Sequence, residues 1–244
     1  MKKTNYGYFI VIEGCDGSGK TTVAKLLKDK LIKEGYDADY TREPGGTEVG
    51  NKIREFVLHN KVNSKIATLL FAASMNANIS QFIKPAIEQK KIIICDRFVR
   101  STYIYQGFSK QNPGENAYSY AHRTSTFNEI GRYACDNIIP DIEFILDVKP
   151  RIAWDRTHTR DTEIDVFEAE GYKAFEERAK AYLDAMGDEV YYGNAYELTY
   201  ELHHVDTNYT DIDSVVNKCY KYIIDRINQD NKIKITKRDK SDKK

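Results

Sequence analysis

Nine residues near the N-terminus, Gly14-Cys15-Asp16-Gly17-Ser18-Gly19-Lys20-Thr21-Thr22, constrain the fold of this chain more than any others. They fit the spacing G-x-x-x-x-G-K-[ST], follow an apolar run, Tyr8-Phe9-Ile10-Val11-Ile12, and precede a helical pattern. Strand, glycine turn and helix in that order aim successive backbone N–H groups at an anion, and the helix N-terminus adds its positive dipole end. In such a loop Gly14, Gly17, Ser18, Gly19 and Thr22 cradle nucleotide phosphates. Lys20 reaches the β- and γ-phosphates, and the Thr21 hydroxyl binds Mg²⁺.

Strands and helices alternate along the rest of the chain. Strands are expected at about 7–12, 36–41, 91–95, 142–148 and 202–205. The first helix starts at Lys20, with Val23, Leu26, Leu27 and Leu31 on one face, and ends at Gly35. Thr47 is placed to cap a helix running to about Asn60. Residues 64–89 read as a long helix bent or interrupted near Pro85. A run with Tyr172, Phe175, Ala179, Tyr182, Leu183 and Met186 inward is also helical, as is the last, with Val215, Val216, Cys219, Ile223 and Ile227 inward. The pattern implies one α/β domain, a parallel sheet with crossover helices on both faces, whose ligands bind beyond the strand C-termini.

Composition narrows the functional classes. The 37 basic and 37 acidic residues balance, so no large nucleic-acid or membrane surface is expected. The exception is the tail from Lys232, with seven Lys/Arg against two Asp, read as a solvated, frayed terminus. No apolar stretch approaches membrane-spanning length, and no signal peptide is read at the N-terminus. Cys15, Cys95, Cys135 and Cys219 form no C-x-x-C pair and read as buried, reduced thiols of a cytoplasmic protein. His203 and His204 point to opposite faces of a strand, which argues against a shared metal.

Three further segments fall at strand C-termini. Thr41-Arg42-Glu43-Pro44-Gly45-Gly46-Thr47 sets a charged pair beside a tight turn. Asp96-Arg97 closes a buried strand, with Asp96 suited to Mg²⁺ and Arg97 to a bidentate phosphate clamp. The charged stretch 151–168 carries Arg151, Arg156 and Arg160, the composition of a lid that closes cations over a γ-phosphate.

These segments, with Asp96-Arg97…Ser101-Thr102…Tyr105-Gln106-Gly107 and Pro140-Asp141…Leu146-Asp147-Val148, resemble the thymidylate kinase family from about Phe9 to Arg226. The resemblance implies a P-loop kinase fold with a five-stranded parallel sheet and a lid at about 150–167, in one domain spanning 1–230 ahead of a flexible basic tail, 231–244. It implies transfer of the γ-phosphoryl of ATP to dTMP with Mg²⁺, and a homodimer packed through helices beside the sheet. Carried over residue by residue, it places Asp16 near the acceptor phosphate or its metal. Arg54 and Arg97 hold the dTMP phosphate, with Glu43 also on the acceptor side. Phe71 stacks on thymine, Thr102 meets the base and Tyr105 lies near the sugar. Phe167 and Glu168 form the aromatic–acid pair after the lid, Glu168 being a further metal candidate. Asp206 lies near adenine.

The chain departs from that family in places. Met75 stands where an arginine usually meets thymine, which leaves dUMP or a 5-substituted dUMP as alternative acceptors. The loop Asp16-Gly17-Ser18 holds no cation, so the catalytic cation is expected from the lid, as Arg160 or Arg156. The connections 108–139 and 188–201 are longer than expected. A nucleoside kinase is a second reading, disfavoured by Thr41–Thr47. A GTPase-type switch is a third, but it lacks the N-K-x-D guanine motif.

Overall fold

β1 (Tyr8–Glu13) is the centre of the molecule, every residue of it buried. The computed structural model describes residues 4–108, 125–126, 129–159, 166–184 and 201–241. β1 is flanked by β3 (Ile92–Asp96) and β4 (Ile142–Asp147), with β2 (Ala38–Arg42) and β5 (Glu201–Asp206) outside them. The order is β2-β3-β1-β4-β5 and every pairing is parallel. Apolar side chains on both faces explain why β1, β3 and β4 read as continuous apolar runs.

Alternate strand residues feed two cores. Tyr8, Ile10 and Ile12 pack with α1 (Lys20–Lys33) and α8 (Ile212–Ser241). Phe9 and Val11 face the opposite layer, with α3 (Ser64–Glu88), α4 (Val99–Thr102) and α7 (Tyr172–Asp184). The described residues also form α2 (Glu48–His59), α5 (129–135) and α6 (Pro150–His158), with α4 continuing into a π-helical stretch, Tyr103–Phe108, and a short 3₁₀ turn at Glu168–Glu170.

Local chemistry sets the helix ends. Thr47 Oγ1 accepts from the Gly50 N–H and caps α2, as its position predicts. Asn63 Oδ1 accepts from the Ile66 N–H and caps α3. Within α3 the turn Ile79–Ile83 is a π-helix that leads into Pro85. Proline has no N–H to close the regular i→i−4 ladder, so the irregularity falls just before it.

Several expectations are corrected. Leu26 lies beside the Val23–Leu27–Leu31 stripe and is 37% exposed, as is Leu183 on α7. At 25 residues α3 is long and apolar enough to cross a membrane, against the reading from sequence. Half of its apolar window is buried inside the protein, as in a core helix. α8 runs to Ser241, past the Lys232 boundary. The connection 188–200, most of 108–139, Arg160 and Met186 lie outside the described residues.

Candidate active site

Backbone geometry builds the phosphate loop. Gly17 and Gly19 have φ of 76° and 94°, where other residues are strained. A Cβ at Gly17 would also stand 2.2 Å from the Ala153 carbonyl oxygen. Lys20 is buried, and its Nζ donates to the Cys15 carbonyl at 2.6 Å, folding over its own loop. Burial, with Arg97 nearby, lowers its pKa. Thr22 is exposed on the first turn of α1.

Register brings the Asp96 carboxylate to the loop. Asp96 lies opposite Ile12 across the β1–β3 pair, and its Oδ2 accepts from Thr21 Oγ1. Asp96 Oδ1 and Ser18 Oγ are buried with no partner among the described residues. An orphaned carboxylate oxygen beside a threonine hydroxyl at a phosphate loop is the donor set Mg²⁺ takes, since that ion binds through one or two protein groups plus phosphate oxygens and water. No cluster of three or more His, Cys, Asp or Glu suited to a metal exists among the described residues, and Asp96 and Thr21 are a pair that could hold such an ion together with phosphate oxygens and water.

Beyond the loop a pocket gathers Asp16, Glu43, Arg54, Phe71, Arg97, Thr102, Tyr105 and Phe167. Arg97 is held from several sides. It pairs with Asp16 and donates to Tyr182 Oη at 2.8 Å, Ser101 Oγ at 3.0 Å and Tyr105 Oη at 3.3 Å. Burial opposes charge on Asp16, yet Arg97, Lys20 and the Tyr105 hydroxyl outweigh it and hold the carboxyl well below its usual range. Glu13 anchors the turn after β3, accepting from the Phe98 and Ser101 N–H groups and from Ser101 Oγ. Its pKa is pushed up to about 7 by burial and by Glu143. Arg54 Nη1 donates to the Pro44 carbonyl at 3.2 Å, tying α2 to the turn after β2.

Glu43 is buried, accepting from Asn78 Nδ2 at 2.6 Å and Ser74 Oγ at 3.3 Å. Desolvation pushes its pKa up to about 8. Met75 is corrected: it does not line the pocket but sits 1% exposed in the core, its Sδ 3.8 Å from Cys135 Sγ. A thioether gains by sinking into the core, where an arginine would have to reach out to a polar partner.

Arg156, expected among the lid cations, is also placed elsewhere. It donates to the carbonyls of Thr207 at 2.9 Å, Asn208 at 3.1 Å and Gly17 at 3.4 Å, so it ties the β5–α8 loop to the phosphate loop. Asp206 is exposed and accepts from the N–H and side-chain amide of Asn208, shaping that same loop. Arg160 and the side chain of Glu168 lie outside the described set.

A two-sided cleft of this kind has a phosphate loop on one side and an arginine-bearing pocket on the other. The family model for thymidylate kinase matches residues 12–206. The chain belongs to the thymidylate kinase family. It is 38% identical over 178 residues to a thymidylate kinase of Exiguobacterium sp., covering 72% of this chain and 78% of that one. A thymidylate kinase of Malacoplasma penetrans is 38% identical over 165 residues, with 66% and 72% covered. One of Mycoplasma genitalium is 39% identical over 160 residues, with 64% and 70% covered. The matched span contains the loop, Asp96-Arg97, Phe71 and Phe167. Ser74, Asn78 and Arg178 were not singled out from sequence, and Tyr182 was read only as an inward residue of its helix. Each is a polar residue buried on a helix, and no spacing distinguishes such a residue from one on a solvated face.

Proposed function

We propose that this protein transfers the γ-phosphoryl group of ATP to dTMP, giving dTDP and ADP, in the cytoplasm. The observation that carries the reading is that the phosphate-loop lysine and the pocket arginine meet at Asp16: Lys20 Nζ lies 4.0 Å from its carboxylate, and Arg97, which pairs with it, lines a pocket with Arg54 and Phe71. The acceptor is a phosphate monoester, largely dianionic at neutral pH because its second pKa is about 6. It needs no general base, only alignment and charge neutralisation.

The chain's residues then take these roles. The loop N–H groups and Lys20 hold the donor phosphates, Lys20 exchanging the Cys15 carbonyl for a phosphate oxygen. Thr21 and Asp96 hold Mg²⁺, which neutralises charge on the donor phosphates when bound. Arg97 exchanges Asp16 for the acceptor phosphate, assisted by Arg54. Phe71 and Phe167 line the base end, with Thr102 beside them. Arg156 and Asp206 shape the loop nearest the adenine, and Arg160 supplies the lid cation. Leu69 on α3 and Tyr133 on α5 are exposed apolar residues that border one surface hollow, which supports a homodimer through those helices.

Coupled ADP release across acceptor nucleotides tests the reading. ADP forms with dTMP, and more slowly with dUMP. Equal ADP release with and without any nucleoside monophosphate would contradict it.

A further inference from the structure

We infer that Arg178 is a positioning residue for the acceptor pocket: its guanidinium pins the backbone of Phe167 and so sets the pocket's outer wall. Arg178 stands on α7, one turn before Tyr182, and its side chain is 3% exposed. A buried guanidinium is costly unless paired, and its partners all lie at one place. Nη1 pairs with Glu170, and Nη2 donates to the Phe167 carbonyl at 2.9 Å. Both groups belong to the stretch that follows the lid. On its other side the guanidinium carbon lies 5.3 Å from the Tyr105 ring centroid. Arg178 is thus wedged between the lid's exit and the pocket, while Nε has no partner among the described residues.

The contact passes on through Phe167. Its ring meets Tyr105 edge-on at 5.6 Å and lies 6.4 Å from the ring of Phe71. Holding the carbonyl fixes the backbone that aims this ring. Phe167 also borders a second cavity of about 410 Å³ lined by Val57, Val62 and Ala67. The Phe167 ring already packs on the Val57–Ala67–Phe71 cluster beside that cavity, so a released carbonyl leaves the ring room to shift and the acceptor pocket then loses its wall. Arg178 touches neither substrate in this scheme and acts through the Phe167 backbone and the Tyr105 ring that it backs. The inference rests on reading the pocket as the dTMP site.

The test is steady-state kinetics of the full chain with Arg178→Met and Arg178→Lys, each checked for folding by circular dichroism. R178M raises KM for dTMP about tenfold, the equivalent of one charge-assisted hydrogen bond. KM for ATP and kcat stay within about twofold, a split that a general loss of scaffold does not produce. R178K, which keeps the charge but not the planar fork, falls between wild type and R178M. If R178M does not fold, R178K carries the test with the same direction. In a Phe167→Ala background R178M adds clearly less than it does alone, because the route through the ring is already gone and only the Tyr105 contact is left to lose. An unchanged KM for dTMP, a parallel rise in KM for ATP, or full additivity with F167A would overturn the inference. Absence of dTMP-dependent ADP release by the wild type would overturn the acceptor reading itself, and with it this one. Normal wild-type turnover with an indifferent R178M removes only the role of Arg178.

Discussion

Glu43 is a carboxyl group with neutral donors and no arginine at position 75. Buried against Asn78 and Ser74, it has a pKa of about 8, against 4.5 when solvated. The folded protein therefore binds more protons than the unfolded chain between those values. Stability from this group is complete below the unfolded pKa and is lost as pH rises through about 8. Glu13, raised to about 7 by burial and Glu143, acts in the same direction. Thermal melts of wild type and Glu43→Gln from pH 5 to pH 9 check this. Wild type loses Tm over that range and E43Q loses less, so the variant gains on wild type at the alkaline end. A difference on the order of 1 kcal/mol is about 2–4 °C for a chain of this size. Parallel Tm curves would contradict it. Residues of the phosphate loop and Asp96-Arg97 were legible in the sequence because a fixed spacing leaves their chemistry few alternatives. Met75 was not, since whether its side chain turns to the base or to Cys135 depends on the neighbouring layer.

Among the elements, α6 differs most from its reading. Its charged residues look like one lid, yet the structure divides them. Arg151 pairs with Asp155 at 3.2 Å on the exposed face, whereas Arg156 reaches three backbone carbonyls of the donor side. A guanidinium bound to carbonyls fixes loops, while one free to close over phosphate contributes to the transition state. Arg156→Met accordingly raises KM for ATP several-fold and leaves KM for dTMP unchanged. Arg160→Ala lowers kcat, by about 10³ if it acts as the arginines of other phosphoryl-transfer enzymes do. Initial rates with each substrate varied in turn separate the two. A collapse of kcat in R156M with KM for ATP untouched would return Arg156 to the lid. Helix positions were legible from periodicity, and the bend of α3 from Pro85. Leu26 and Leu183 show the limit of that signal: a leucine at the edge of a stripe is placed by what packs over it.

For the whole molecule, alternation implied a parallel sheet but not its order, which the structure gives as β2-β3-β1-β4-β5, and the four informative segments follow the C-terminal ends of its strands. The assembly was carried by resemblance alone, because an apolar residue such as Leu69, 59% exposed on α3, has the same spacing as a buried one. Leu69→Glu places like charges across a two-fold axis if that face pairs with itself. Sedimentation shifts from dimer to monomer in L69E, and an unchanged dimer would place the interface elsewhere. The central claim is that one cleft holds the donor at Lys20 and the acceptor at Arg97. It is tested most directly by following γ-labelled ATP with dTMP for wild type and Lys20→Ala. Label appears in dTDP with the wild type, and the rate with K20A falls by about 10² or more. Label released as inorganic phosphate by the wild type, or transfer to dTMP unaffected by K20A, would contradict the account.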